Sequence, residues 1–299
     1  MDLLTLTSTG WNPNYLPLNV AEKHAVFADH GIELVRRPQD PWEKVLTDLD
    51  SGAADIALGG MWVPAMYHGT GRDLVVIGQL NGCYAQALVA RDLPAPFAWP
   101  DLGGRTVLVP GKGSTGGFTF LTGLMREQGL NPTQSRFVRD LSTPMFTELF
   151  VGGLADYLLV DLTTAFDLEQ RGLARIAVLL ADVGGLLPNS VFYARRDRID
   201  ELLPRASAFL AGVQDAMDRL GRADARALAE WAVELFPKLP PAAVRAHVEH
   251  VRTTLTWKSV RVDPGAYVRW IDFQYAVPLL KRPLAWGDLM DTRAVDGVR

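Results

Sequence analysis

Two stretches of this chain carry the same local pattern. Ser51-Gly52-Ala53-Ala54-Asp55-Ile56-Ala57-Leu58-Gly59-Gly60 and Gly152-Gly153-Leu154-Ala155-Asp156-Tyr157-Leu158-Leu159-Val160-Asp161 each place a glycine, two residues and an aspartate before a short apolar run. The glycine reads as a helix end, the next residues as a turn, and the apolar run as a buried strand. A pattern that recurs once across a chain of this length predicts a structural repeat: two α/β lobes of one design, with ligand loops at the carboxyl ends of their strands.

The rest of the chain supports that plan. Leu3–Thr7 reads as a first strand, Leu16–His30 as a helix ending at Gly31, Ile32–Arg36 as a strand and Pro41–Ser51 as a helix. Trp62–His68 and Leu74–Leu80 continue the alternation. A second round starts with Thr106–Val109, then a helix over 116–128, Arg136–Arg139 and Thr143–Phe150. Two β-rich runs, Gln86-Ala87-Leu88-Val89-Ala90-Arg91-Asp92 and Ser190-Val191-Phe192-Tyr193-Ala194-Arg195-Arg196-Asp197, both end in Arg and Asp. They are expected to be crossing strands that join the lobes. Beyond Asp197 the apolar spacing is helical. The expected division is residues 1–88 plus 193–299 for lobe one and 89–192 for lobe two.

Composition narrows the partners. The 299 residues are 48% hydrophobic, with a formal net charge of −4, enough chain for two cores. Lys and Arg form no block, so nucleic acid is not expected. The single cysteine, Cys83, allows no internal disulfide. No apolar run reaches membrane-spanning length, so no membrane insertion is expected. Met1–Leu6 lacks a basic n-region and a long apolar h-region. As written, the chain is expected in the cytoplasm; were a leader removed from a longer precursor, it would be extracytoplasmic.

Between the strand at Thr106–Val109 and the next helix lies a glycine-rich loop, Gly111 to Gly117. Such a loop leaves backbone N–H groups at a helix start, where an anion or polar ligand atom can bind. Ser114, Thr115 and Gly116 are the expected contacts, with Ser114 and Thr115 also able to cap the helix. The loop matches G-x-G-x-x-G but has no Lys-Ser/Thr after its last glycine, so it is not a Walker loop. In lobe one the corresponding loop holds Trp11, Asn12 and Tyr15, and Gly59, Gly60 and Trp62 follow the repeat strand. Aromatics in a polar loop suit a ring or an apolar chain. Asp161, ending the matching strand, is expected either to meet the ligand or to cap the next helix.

Asn14-Tyr15-Leu16-Pro17-Leu18-Asn19-Val20-Ala21-Glu22-Lys23, Phe27, and His30-Gly31-Ile32-Glu33-Leu34 resemble the opening of the NMT1/THI5-like and sulfonate-binding (SsuA-like) group. The two Gly-x-x-Asp strands, Asp101-Leu102-Gly103-Gly104-Arg105, and the tail from Pro283-Leu284 to Asp288-Leu289-Met290-Asp291-Thr292 fit as well. The resemblance covers nearly the whole chain. It implies two doubly wound α/β lobes joined by two crossing strands, the type II periplasmic-binding-protein-like fold, with C-terminal helices. It also implies that the glycine loop faces a cleft rather than a dinucleotide, so no cofactor is expected. Pyrimidine synthases of the group carry a pyridoxal-phosphate lysine after the first repeat strand, where this chain has Leu58-Gly59-Gly60-Met61. Sulfinate desulfinases carry a cysteine nucleophile in the first loop, where this chain has none, and Ala57 stands where they carry an arginine.

Candidates for catalysis are Cys83, His24 and His68, none with an identifiable partner in sequence. His247 and His250 lie three apart on a helix without a third ligand, so no metal site is expected. The expected function is binding of a small organic ligand, with a ring or apolar part and a polar or anionic end, in the interlobe cleft. That is the role of the substrate-binding component of an ABC importer, with an ABC permease as partner where the protein is exported. The alternative is a cytoplasmic enzyme of the same fold, lyase- or decarboxylase-like, acting on a small organic acid or aromatic substrate.

Overall fold

The computed structural model describes residues 1–10, 12–93, 96–111 and 115–298. In chain order, β1 (Asp2–Thr9), α1 (Leu16–Lys23), α2 (Val26–Asp29), β2 (Ile32–Gln39), α3 (Glu43–Ser51), β3 (Ile56–Gly60), α4 (Trp62–Tyr67) and β4 (Leu74–Asn81) come first. Then follow β5 (Gln86–Ala90), β6 (Thr106–Val109), α5 (Thr115–Glu127), β7 (Arg136–Arg139), α6 (Thr143–Val151), β8 (Tyr157–Asp161), α7 (Leu162–Gln170), β9 (Arg175–Leu179) and α8 (Leu180–Gly184). The chain ends with β10 (Ser190–Arg195), α9 (Ile199–Arg222), α10 (Ala225–Leu235), α11 (Pro241–Thr253), α12 (Pro264–Ala276), α13 (Trp286–Leu289) and α14 (Arg293–Asp296).

The strands make two five-stranded mixed sheets, β2-β1-β3-β10-β4 and β7-β6-β8-β5-β9. In the first, β1 runs parallel to β2 and β3, while β10 is antiparallel to β3 and β4. The second repeats this: β6 is parallel to β7 and β8, while β5 is antiparallel to β8 and β9. Each crossing strand therefore enters the other repeat's sheet as its one reversed strand. The expected doubly wound lobes and crossing strands are both present.

The shared aspartate explains why the pattern recurs. Asp55 accepts the Thr5 N–H at 2.9 Å and returns its own N–H to the Thr5 carbonyl. Asp156 does the same with Thr106, accepting at 2.8 Å. Thr5 to Thr106 and Asp55 to Asp156 span the same 101 residues. The turn glycines, Gly52 and Gly153, have φ of +75° and +101°, a region that a side chain would strain.

Contacts divide the chain into two units: 1–83, 186–228 and 255–299 in the first, 84–185 and 229–254 in the second. This departs from the expected division, since 229–254, with α11, joins the second unit. There α11 packs on α7. Helical spacing marks an apolar face without saying which core receives it. The expected helix over 16–30 is also interrupted: Ala25 takes φ +52°, separating α1 from α2. In the first unit, Phe209 of α9 stacks on Phe27 at 5.4 Å and meets Phe192 edge-on at 5.0 Å. Val107, Leu108, Phe120, Phe146, Phe150 and Leu158 are all fully buried in the second.

Candidate functional site

In the first unit, three neighbouring strand ends meet in register. Ser190, opening β10, pairs with Gly60 at the end of β3 and with Asn81 at the end of β4. The loop after β1 reaches the same place. Asn12 accepts the Asn14 N–H at 2.9 Å, capping a short 3-10 turn over Pro13–Tyr15. That turn delivers Tyr15, whose side chain is 7% exposed and whose hydroxyl bonds the Ser190 and Asn12 side chains. Burial raises the Tyr15 pKa, and those two hydrogen bonds oppose the rise.

A tryptophan from the distant C-terminal region completes the network. The Trp257 indole N–H donates to the Asn14 carbonyl and to Asn81 Oδ1, both at 3.0 Å. Asn81 in turn donates through Nδ2 to Ser190 Oγ at 3.3 Å. Every member is tied to at least two others, which holds the Asn12–Tyr15 loop firmly against the sheet. Beside it, the Trp62 ring lies across Gly60 so closely that a Cβ there would collide with it. Trp62 meets Trp42 edge-on at 5.6 Å. At Gly59 a Cβ would stand 3.0 Å from the Tyr193 hydroxyl. Of the sequence candidates, Asn12, Tyr15, Gly59, Gly60 and Trp62 thus lie together, while Trp11 is outside the described residues.

The second unit builds its counterpart from the same register. Gln86, opening β5, pairs with Asp161 at the end of β8, as Ser190 pairs with Gly60. β6 ends at Val109, Gly111 takes φ +132°, and the backbone of Thr115 opens the 13-residue α5. Gly116 and Gly117 fill its first turn, both buried. A Cβ on Gly117 would stand 3.3 Å from Gln86 Oε1 and 3.6 Å from the Tyr84 hydroxyl. Glycine here lets an amide and a phenol come up to a helix start. Gln86 Oε1 is buried with no hydrogen-bond partner among the described residues. Tyr84 is 5% exposed and stacks on Phe120 at 4.5 Å, and burial pushes its hydroxyl pKa up, keeping it a donor. Asp161 caps α7: its oxygens accept the Thr164 N–H at 3.0 Å and the Thr164 hydroxyl at 2.7 Å. Ser114 is outside the described residues.

The catalytic candidates are scattered. Cys83 is 1% exposed. His24 is exposed beyond the end of α1, and His68 follows α4 with its Nδ1 buried and unpartnered among the described residues. No group of three or more His, Cys, Asp or Glu that could hold a metal occurs among the described residues. Sequence reasoning missed Asn81, Ser190, Trp257, Tyr84 and Gln86. Ser190 and Gln86 had a usable signal, because each opens a run already read as a crossing strand.

Known proteins share this architecture. "Putative binding protein YtlA" of Bacillus subtilis (strain 168) is 23% identical over 243 residues, covering 80% of this chain and 72% of that protein. The alkanesulfonate-binding protein SsuA from Xanthomonas axonopodis pv. citri, solved bound to MOPS, superposes with a TM-score of 0.72 at 19% identity, covering 97% of this chain and 98% of that one. A mutant of DSZB in complex with biphenyl-2-sulfinic acid gives 0.68 at 18%, over 99% and 98%. At these identities the solved structures establish the fold. The NMT1/THI5-like family model matches residues 12–222, most of the chain, and the protein belongs to that family.

Proposed function

We propose that this protein binds a small organic molecule, with a ring or apolar part and a polar or anionic end, at the strand-end loops of its lobes. The observation that carries this reading is in the second unit. A buried amide oxygen without a described partner and a buried phenol flank the start of a long helix. A buried polar atom without a partner is costly unless a ligand uses it, and a helix start is a favourable place for a polar or anionic ligand atom. Trp62 and Trp42 supply flat apolar surface in the first unit. The names of the relatives agree: a binding protein, and an alkanesulfonate-binding protein holding MOPS. Were the protein exported, its partner in this reading would be an ABC permease. No described helix is long and apolar enough to cross a membrane.

Calorimetry with MOPS, short alkanesulfonates and the matching carboxylates tests the reading. At least one should bind below about 100 μM, near −5.5 kcal/mol. Gln86→Leu with Tyr84→Phe should weaken it about tenfold or more. The recovered ligand should be unchanged after long incubation. No binding across the panel, or full affinity in the double variant, would refute this reading. A converted product would favour the enzyme alternative.

A further inference from the structure

The register shared by the two sheets makes Arg91 the positional counterpart of Arg195. Ser190 pairs with Gly60 and Gln86 with Asp161, and counting equally along each strand reaches Arg195 and Arg91. The two arginines have different surroundings. Arg195 is held by carboxylates: Asp197 accepts its Nε at 3.0 Å and its Nη2 at 2.5 Å, and Asp50 lies 3.6 Å from Nη1. By the same count Asp197 corresponds to Leu93, and by the 101-residue repeat Asp50 corresponds to Val151. At the two equivalent positions this repeat therefore carries apolar residues in place of the carboxylates that hold Arg195. Arg91 Nε is buried without a hydrogen-bond partner among the described residues. Its Nη1 lies 2.7 Å from where a Cβ of Gly153 would be, so a side chain there would push the guanidinium aside.

Around Arg91 is a pocket of about 300 Å³, lined also by Asp92, Leu93, Asp101, Arg105, Asp156 and Tyr157. Tyr157 is 6% exposed and offers a hydroxyl. Two of the acids are already engaged. Asp156 takes the Thr106 N–H and pairs with Arg105 at 3.2 Å, and Asp101 accepts the Ala98 N–H at 2.8 Å. The pocket is distinct from the candidate site: Tyr157 opens β8 and Asp161 closes it, about 13 Å apart along a strand.

We propose that this pocket is a second ligand site, which takes a small monocarboxylate on the Arg91 guanidinium. A planar guanidinium matches a carboxylate with two parallel hydrogen bonds, and its counterpart Arg195 is bound to carboxylates in just that way. Tyr157 donates to the remaining lone pair. Asp92, Asp101 and Asp156 repel any anion in proportion to its charge, and Arg105 offsets Asp156, so a monoanion is disfavoured less than doubly charged phosphate. The volume is at the small end for organic ligands and admits a small monocarboxylate with room to spare.

Titration of the whole protein with acetate, followed by ¹H–¹⁵N NMR at constant ionic strength, tests this. The Arg91 Nε–H and Gly153 amide signals should shift saturably with a dissociation constant on the order of 1–10 mM. Phosphate should bind at least about tenfold more weakly. Arg91→Gln should abolish the shift. Leu93→Asp restores the carboxylate found beside Arg195, and should weaken acetate about tenfold while leaving the rest of the spectrum in place. The absence of a saturable shift at about 0.1 M acetate would overturn the proposal. So would an equal response in Arg91→Gln or Leu93→Asp, or phosphate binding as tightly as acetate.

Discussion

Replacing Asn81 by leucine tests how the first half of the candidate site is held. The side chains share branching and heavy-atom count, and leucine is the bulkier, so the change removes polar atoms without leaving a cavity. Asn81 is fully buried; it accepts from Trp257 at 3.0 Å and donates to Ser190 at 3.3 Å. Neither partner is stranded by its loss. The indole keeps the Asn14 carbonyl at 3.0 Å, and Ser190 keeps the Tyr15 hydroxyl. The expected cost is therefore about 1–2 kcal/mol, below the roughly 3 or more that two stranded buried groups would carry. Trp257→Phe is harsher: it leaves two acceptors without their indole donor and opens space, at about 2–4 kcal/mol. Combining the two should recover about 0.5–1.5 kcal/mol relative to their sum, because the acceptor stranded by Trp257→Phe is then gone. Urea unfolding gives the energies, and hydrogen exchange of the 12–20 segment should report faster opening in each variant. Additivity within about 0.3 kcal/mol, or unchanged exchange there, would refute the network argument.

Three further outcomes are expected. His247 is buried, its Nδ1 is 2.8 Å from the Thr163 hydroxyl, and burial, then the charge of His250, push its pKa down to about 3. It is neutral when folded and takes up a proton on unfolding, so its contribution is complete above pH ~6.5 and is lost as pH falls toward 3. At pH 5 the loss is about 2 kcal/mol, and His247→Gln should flatten the melting temperature against pH between 6.5 and 4; a profile as steep as wild type would contradict this. Asp161→Ala should cost about 1 kcal/mol by uncapping α7, while Asp161→Asn should cost much less, as read from urea midpoints; ligand affinity lost in both variants, the well-capped asparagine one included, would assign the carboxylate to the ligand. Gly60→Ala must displace the Trp62 ring, so its tryptophan emission should shift and ligand affinity fall, and an unmoved spectrum would count against the close packing.

How much could be read from sequence depended on distance along the chain. The Gly-x-x-Asp strands were legible because one aspartate closes one local turn onto a strand, and the same lock was needed twice. The crossing strands were legible from their matching Arg-Asp ends. The break at Ala25 was not, since nothing in the apolar spacing around it marks a left-handed alanine. Nor was the transfer of 229–254 to the second unit, because an amphipathic helix shows that a face is buried and not in which core. In the candidate site, glycines and loop aromatics drew notice by type. Asn81, Ser190 and Trp257 did not, because three distant segments supply them and each looks ordinary where it stands.

The exchanged strands have a consequence for how the protein is made. While the chain emerges from the ribosome, β3 and β4 are complete long before the strand that lies between them. Ser190 is 109 residues beyond Asn81, roughly 5–20 s of synthesis. Throughout that interval both strands have an unpaired edge, the kind of surface that recruits strands from other chains. The nascent first lobe is thus open to capture by a neighbour on the same messenger. An isolated 1–83 fragment should remain in that state, aggregating or borrowing β10 from a full-length copy in place of its own.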